Sequence, residues 1–498
     1  MRLLQVQLEK FLDSLKKWAE ITRRRRKSFF AALLALAHIA GALTSVQAVM
    51  ETRTAQGAIA WAVSLNTIPY AAVPAYWAVG RTKFEGYVKK RQDRIDETSP
   101  FVRQFIDSAK KDFPDPDQDI EAHFLERLIR LPTTRGNDVQ LLRNGEEIYS
   151  SIFRGMESAE DYLLVQFYIV RDDDLGKKLQ QQMLAAAQRG VRVKFLYDQI
   201  GSRKLPHSYL DALRQSGVKV HSFISTRDRF RPFQLNFRNH RKIVVVDGRQ
   251  AWLGGANIGE EYLHADPKLS PWIDAMVKVE GPAVQAVQVP FLEDWYWTSG
   301  DIPDLDWAPQ AASTGKSRKV FVLPTGPADR FETCALYFLH MINNATHRLW
   351  IASPYFVPDE QIVSALQMAA LRGVDVRILI PENCDNFMVN LSGWSYVAEL
   401  EKAGVEIYRH TNGFLHYKAL LVDDSVSAVG TANFDNRSFR LNFEITLEVE
   451  DEEFAQEVKE MFLHDFADSR LSSAKELEER HFIFRLAVRV ARLFAPIQ

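Results

Sequence analysis

The stretch His240-Arg241-Lys242-Ile243-Val244-Val245-Val246-Asp247 is followed, after six residues, by Gly254-Gly255-Ala256-Asn257. The same pattern returns as His416-Tyr417-Lys418-Ala419-Leu420-Leu421-Val422-Asp423 and, again after six residues, Gly430-Thr431-Ala432-Asn433. Four apolar residues after each lysine read as a short buried strand. Strand alternation puts His240 with Lys242, and His416 with Lys418, on one face. One His-x-Lys alone is an ordinary polar strand face. Two copies at identical internal spacing, each ending in Gly-x-x-Asn, are a duplicated site.

Outward from the motifs the two halves keep matching. Ala186-Ala187-Gln188-Arg189-Gly190-Val191-Arg192-Val193 corresponds to Ala369-Ala370-Leu371-Arg372-Gly373-Val374-Asp375-Val376. Each is the end of an apolar-periodic helix, a glycine suited to the C-cap, then an alternating strand. A second helix–glycine–strand unit follows in each half, through Gly217 and Gly404. The matching glycines lie 183 and 187 residues apart, a period that marks a duplicated domain and not a solenoid. The pattern predicts two α/β lobes, 120–305 and 318–470, facing each other across one shared active-site cleft. The segment from about Asp301 to Arg318 reads as a linker, and Asp112 to Asp119 as a surface loop.

Two histidines and two lysines converging from two lobes suit a phosphate. Ammonium groups and asparagine amides can hold its non-bridging oxygens, while one imidazole attacks phosphorus and the other protonates the leaving alkoxide. Asp247 and Asp423 end apolar strands at turns, where they either act in the reaction or hold the turn.

This duplicated His-x-Lys-x4-Asp block resembles the signature of the phospholipase D superfamily. The resemblance implies one active site built from both halves, a covalent phosphohistidine intermediate, and neither metal nor cofactor. It makes His240 the nucleophile and His416 the general acid, then base, with Asp247 and Asp423 completing the catalytic motifs. Lys242, Lys418, Asn257 and Asn433 would bind phosphate. The family also places a carboxylate behind each histidine, and the residues in that role are Glu444, 28 residues after His416, and Asp274, 34 after His240. An imidazole held at one nitrogen by a carboxylate keeps the other nitrogen poised. Gly255 and Thr431 stand where the superfamily often has serine, which implies a lost hydroxyl contact at Gly255.

The N-terminal region is of another kind. Ser28 to Met50 and Ala55 to Val79 are 23 and 25 residues without formal charge, separated only by Glu51-Thr52-Arg53-Thr54. Roughly 20 helical residues cross a hydrocarbon core, so residues 1–95 are expected to form a transmembrane hairpin with spans at about 28–50 and 55–79. Arg23 to Lys27 precede it, and Arg81, Lys83, Lys89, Lys90 and Arg91 follow, which places both ends on the cytoplasmic side. A cleaved signal peptide ending near Val46-Gln47-Ala48 would explain the first span alone. The 27-residue polar lead and the second span that follows at once argue against it.

Further stretches resemble bacterial cardiolipin synthases over nearly the whole chain. They include Asn236-Phe237-Arg238-Asn239-His240-Arg241-Lys242, Pro271-Trp272-Ile273-Asp274, Gly326-Pro327-Ala328-Asp329 and Asn433-Phe434-Asp435-Asn436-Arg437-Ser438-Phe439. That likeness implies phosphatidyl transfer between two phosphatidylglycerol molecules by a multi-pass protein of the bacterial inner membrane, its catalytic domain cytoplasmic. Alternatives are a hydrolase releasing phosphatidic acid, or a transferase drawing on phosphatidylethanolamine. A nucleic-acid partner is disfavoured by the tether and the acidic soluble portion.

At the other end, residues 475–498 read as a basic amphipathic helix, with Arg480, Arg485, Arg489 and Arg492 among Phe482, Ile483, Leu486, Val490 and Leu493. It suits an anionic lipid surface or a helix packed on the domain with a solvated basic face. The net charge of −2 is thus a cancellation between basic ends and an acidic middle. Two cysteines, Cys334 and Cys384, exclude a disulfide framework and a cysteine-rich metal site.

Overall fold

The structure is a computed structural model that describes residues 2–52, 54–80, 100–115, 120–223, 236–266 and 268–498. Arg53, the basic cluster from Arg81 to Arg91 and the tip of the acidic loop at 116–119 lie outside the described residues. The chain divides into an N-terminal unit and a large second unit.

In the N-terminal unit the first apolar run is the end of one helix, Arg2–Glu51. Its portion Arg23–Glu51 is the one helix among the described residues long and apolar enough to cross a membrane. The expectation of a second continuous span is corrected. Helix Ala55–Thr67 stops at Ile68 (φ −132°, ψ 56°), a new helix runs Pro69–Ala75, and Tyr76–Gly80 continue in a wider π turn. Pro69 has no N–H to donate and disfavours helical backbone at the residue before it, which is why the break falls at Ile68. Both pieces still pack on the first helix. A Cβ at Gly41 would meet the carbonyl oxygen of Leu65 at 2.1 Å, so a glycine there lets the backbones approach closely. Trp61 and Tyr76 meet edge to face at 5.2 Å.

The second unit holds the two lobes. Strands of the first are β1 (Thr134–Arg143), β2 (Tyr162–Phe167), β3 (Arg192–Asp198), β4 (Lys219–Phe223), β5 (Arg238–Asn239), β6 (Ile243–Val246), β7 (Gln250–Gly254), β8 (Trp272–Ile273) and β9 (Ala275–Glu280). The second lobe opens with β10 (Arg318–Thr325), β11 (Arg348–Ala352), β12 (Phe356–Val357), β13 (Asp375–Pro381) and β14 (Glu406–His410). It continues with β15 (Phe414–Leu415), β16 (Ala419–Val422), β17 (Val426–Gly430), β18 (Phe434–Asp435), β19 (Asn442–Glu450) and β20 (Ser469–Leu471).

Spatial order in the first lobe is β1-β9-β7-β6-β2-β3-β4, and in the second β10-β19-β17-β16-β11-β13-β14. These are the same sequence of strands, and β1 joins β10 antiparallel so that one sheet runs through both lobes. The duplication reaches the backbone dihedrals. Gly190 and Gly373 end their helices at φ 90° and 93°, Gly217 and Gly404 at 88° and 94°; each is the left-handed C′ position that a side chain would strain.

Each lobe has its own outer core, around Leu163, Phe195 and Trp252 in one and Leu349, Ile378 and Leu420 in the other. A third core is shared. It contains Val245, Val277 and Trp295 from the first lobe with Leu421, Leu447 and Phe462 from the second, including helices Ala283–Ser299 and Glu452–Ala467. Because this apolar interior belongs to neither lobe alone, it fixes the registry of everything above it. The segment 301–317 has no regular structure but is held down, with Leu305 and Trp307 buried and Ala312 N–H donating to the Gly136 carbonyl at 2.8 Å.

Candidate active site

Two short parallel pairings cross between the lobes and set the site. Strand β5 lies beside the start of β19, with Arg238 opposite Asn442 and Asn239 opposite Phe443. Strand β8 lies beside β15, with Trp272 opposite Phe414 and Ile273 opposite Leu415. One residue further along, His240 N–H donates to the Phe443 carbonyl at 2.9 Å and His416 N–H to the Ile273 carbonyl at 2.7 Å. That register sets each histidine against the first residue beyond the partner pairing, and both such residues are acidic.

His240 Nδ1 is 2.9 Å from Glu444 Oε2, and His416 Nδ1 is 2.7 Å from Asp274 Oδ2. The pairing is therefore crossed. Glu444 backs the histidine of the first lobe and Asp274 that of the second, opposite to the order in which the motifs follow one another along the chain. All four side chains are buried.

The two carboxylates are not equally supported. Glu444 also accepts from the hydroxyls of Thr431 (2.6 Å) and Ser438 (2.8 Å) and from the Asn442 amide (3.0 Å). Asp274 accepts, besides His416, the N–H of Ala275 at 2.8 Å. The reason lies at Gly255, the position matching Thr431, where a Cβ would meet Asp274 Oδ1 at 2.1 Å. The glycine does more than omit a hydroxyl. It makes the space that Asp274 occupies.

Lys242 and Lys418 are buried beside the histidines. Lys242 Nζ donates to the His240 carbonyl at 2.7 Å and sits over the Tyr168 ring, which itself meets the His240 ring edge-on at 5.0 Å. Lys418 Nζ is 3.1 and 3.3 Å from the two ring nitrogens of His416 and donates to the His416 carbonyl. Tyr262 and Trp272 also pack against that imidazole. Each ammonium, with no carboxylate partner among the described residues, turns back to a nearby carbonyl.

Electrostatics follow from this crowding. Burial lowers His240 to about 4 against an ordinary 6.5, outweighing the attraction of Glu444. Burial also lowers His416, with Lys418 acting in the same direction and Asp274 opposing. Lys418 falls to about 8 through burial, and Lys242 falls well below the ordinary lysine value for the same reason, with Lys418 adding repulsion. Burial would raise Glu444, yet His240, Lys242 and the Thr431 hydroxyl together hold it below its usual value. These shifts favour the neutral imidazoles and amines, and an anion placed among them would favour the charged forms instead.

Asp247 and Asp423 lie elsewhere, in the turn-holding position that the sequence left open beside a part in the reaction. Each lies at the far end of its strand from the histidine, roughly 20 Å along the chain at strand rise. Asp247 accepts the N–H groups of Glu160, Asp161 and Tyr162 at 2.8–2.9 Å. Asp423 accepts those of Thr346, His347 and Arg348 as well as the Thr346 hydroxyl. Both have left-handed backbone, at φ 52° and 54°, which aspartate tolerates better than most residues. They clasp the start of the neighbouring strand.

Asn257 is a strut with one N–H to spare. Its amide oxygen takes the Ile169 N–H at 3.0 Å and its NH2 group donates to the Tyr262 hydroxyl at 2.8 Å. Asn433 is buried with an amide oxygen that accepts no hydrogen bond among the described residues.

Sequence reasoning missed the middle residue of each His-x-Lys. Arg241 NH1 pairs with Asp294 at 2.8 Å, and the Tyr417 hydroxyl donates to Asp465 at 2.7 Å. The two aspartates lie on the equivalent helices behind the sheet, 20 and 21 residues after Asp274 and Glu444. That near-equal spacing was the available signal. Arg241 also donates to the carbonyls of Glu444 and Thr325, tying the first motif to the second lobe.

Two His–carboxylate pairs and two lysines, drawn equally from two duplicated lobes, define the phospholipase D-like class. The family described as "Cardiolipin synthase, PLD-like domain" matches residues 152–295 and 338–466, and the chain belongs to that family. It is 44% identical over 478 residues to cardiolipin synthase A of Pseudomonas putida strain GB-1, covering 94% of this chain and 98% of that one. The same enzyme name in Pseudomonas aeruginosa strain LESB58 matches at 44% over 480 residues, covering 94% and 96%. In fold, the chain is similar to the crystal structure of phosphatidylserine synthase from Haemophilus influenzae Rd KW20, with TM-score 0.56 and 15% identity over 72% of this chain and 95% of that one.

Proposed function

We propose that the chain is a cardiolipin synthase, transferring a phosphatidyl group from one phosphatidylglycerol to another. The observation that carries this reading is the crossed pair of His–carboxylate contacts with a buried lysine beside each. His240 Nε2 attacks phosphorus, forming a P–N bond while the P–O bond to the headgroup glycerol breaks, and His416 gives its proton to the departing alkoxide. His416 then takes the proton from a hydroxyl of the second phosphatidylglycerol. That oxygen attacks phosphorus, the P–N bond breaks, and cardiolipin and glycerol are the products. Lys242 and Lys418 balance the charge on the non-bridging oxygens.

One phosphodiester replaces another, so no energy source is needed. Burial of both histidines keeps water from competing with the lipid hydroxyl. The N-terminal hairpin would hold the site at the cytoplasmic face of the bacterial inner membrane, its broken second arm returning across the bilayer as proline-interrupted helices can.

Product analysis decides. Purified full-length chain is given phosphatidylglycerol labelled in the headgroup, with and without phosphatidylethanolamine, and products are separated by thin-layer chromatography. Cardiolipin with free glycerol supports transfer; phosphatidic acid with glycerol identifies a hydrolase, and released ethanolamine identifies the other donor. Full activity in His240→Ala would end the covalent route.

A further inference from the structure

The C-terminal helix, Phe482–Arg492, has three faces, and only one is accounted for by the fold. Phe484, Val488 and Ala491 pack inward against helix Phe387–Glu401, with Phe484 on Trp394. Ile483, Leu486, Val490 and Leu493 recur every three to four residues along a second stripe and stand in solvent, Ile483 at 69% and Leu493 at 77% exposure. Phe482 and Phe494 extend that stripe at its ends, also exposed. Arg485, Arg489 and Arg492 form the third stripe between the other two.

Arg492 is tied to Glu399 at 3.1 Å, while Arg485 and Arg489 are exposed and meet no carboxylate among the described residues. From Arg480 to the last residue there are four arginines and no acid. Beside the helix a groove of about 410 Å³ is lined by Leu371, Ser395, Lys402, Arg489 and Arg492, with Glu399 as its one carboxylate. Met368 and Leu371, on helix Glu360–Leu371, are exposed as well.

A contiguous apolar stripe of this kind marks an interaction surface. The arginines along one border choose the partner. We propose that this face lies in the plane of an anionic phospholipid surface, its apolar stripe sunk to the acyl boundary and Arg485, Arg489 and the Lys402–Arg492 groove seating phosphate headgroups. The helix is then a second, reversible membrane contact that belongs to the catalytic unit. It rests on the surface alone and not on which reaction the site performs.

The test uses the full chain in nanodiscs. A nitroxide on Leu493→Cys, with the identically treated parent chain as background for Cys334 and Cys384, reports access to oxygen and to an aqueous nickel chelate. In discs containing phosphatidylglycerol the label should favour oxygen and be shielded from nickel. The double variant Arg485→Glu/Arg489→Glu should return it to water, and should slow transfer in vesicles roughly tenfold while leaving the rate in detergent micelles unchanged. A label open to nickel in the anionic discs overturns the proposal. So does one shielded from both reagents with spin–spin broadening, since a second copy of the chain would then cover the face. Neither readout of the label needs turnover, so failure here is separate from failure of the transferase reading.

Discussion

His240 and Glu444 stand 204 residues apart in the sequence and 2.9 Å apart in space, Nδ1 to Oε2. The reciprocal pair, His416 and Asp274, spans 142 residues. Neither lobe owns a complete histidine–carboxylate unit, so the site exists only where the shared core has docked the two halves.

Replacing either carboxylate by its amide keeps the shape and removes the charge that fixes the imidazole. Glu444→Gln and Asp274→Asn are each expected to lower turnover on the order of 100-fold or more. Labelled-lipid transfer at saturating substrate measures it. Because both acids serve one reaction, the double variant should lose little more than the worse single one; losses that multiply would mean the two pairs act independently.

The glycine that admits Asp274 gives a sharper test of the asymmetry. Gly255→Ala puts a methyl where Asp274 Oδ1 now lies, so the carboxylate must swing away from His416. Activity should fall severalfold, with a loss of about 1–3 kcal/mol in stability from overpacking. Thr431→Val removes a donor from Glu444 at the matching position and should cost about 1–3 kcal/mol for the group left short of a hydrogen bond. Denaturant melts of both variants check the comparison, and an unperturbed Gly255→Ala would contradict the packing described.

Much of this arrangement could be read in advance, and the reasons for what could not are physical. The strands, the C-cap glycines and the two motifs are local patterns repeated in one chain, so Gly190 and Gly373 announce each other. Partner choice is not local. Spacing along the chain favours Glu444 with His416, whereas the pairings of β5 with β19 and β8 with β15 bring in residues from across the molecule. Asp247 and Asp423 carry the motif's name but serve the turn, because their distance from the histidines is set by strand rise and not by spacing in a pattern. At Ile68 the second uncharged run breaks: Pro69 and Pro74 weaken it in the sequence, membrane helices tolerate proline, and here Pro69 ends the helix before it. Hydropathy counts composition and is blind to a missing N–H.

The ion pair of Arg241 with Asp294 is buried on both sides. Asp294→Ala leaves a guanidinium without its counter-charge in the core shared by both lobes, at an expected cost of about 3–5 kcal/mol. As Arg241 also holds the Glu444 and Thr325 carbonyls, activity should be lost together with stability. Denaturant unfolding followed alongside transfer activity measures this, and loss of activity well before unfolding would point to a role in the chemistry itself.

Asp423 should behave in the opposite way. The backbone N–H groups of His347 and Arg348, outweighing burial, hold its carboxyl below the usual value. A depressed carboxylate contributes stability that is present above its unfolded value and lost as pH falls through the folded one. Asp423→Ala should therefore lower the melting temperature at neutral pH, by about 1–2 kcal/mol of stability, with the difference from the parent narrowing in acid. Turnover per folded molecule should stay within about a factor of two. A large drop in turnover without destabilisation would restore the aspartate to the reacting set.

Burial biases the histidines and lysines of the site towards their neutral forms. His240 titrates near 4 where the unfolded chain titrates near 6.5. Between those values the unfolded state holds more protons, so this group makes stability fall as pH drops from about 6.5 towards 4. Lys418, lowered to about 8, is about half charged at that pH. A phosphate placed among these groups favours their charged forms, so binding must draw protons from solution. Inorganic phosphate titrated into the detergent-solubilised protein at pH 8, in buffers of differing ionisation enthalpy, should show net proton uptake by calorimetry. The share of the uptake owed to Lys418 should shrink towards pH 6.5, where that lysine is already charged, leaving the share owed to the lowered histidines, and Lys418→Met should remove the lysine's share at pH 8. Binding with no buffer dependence at pH 8 would mean that Lys418 already carries its proton before phosphate binds, and that the lysine is not held in reserve for the substrate's charge.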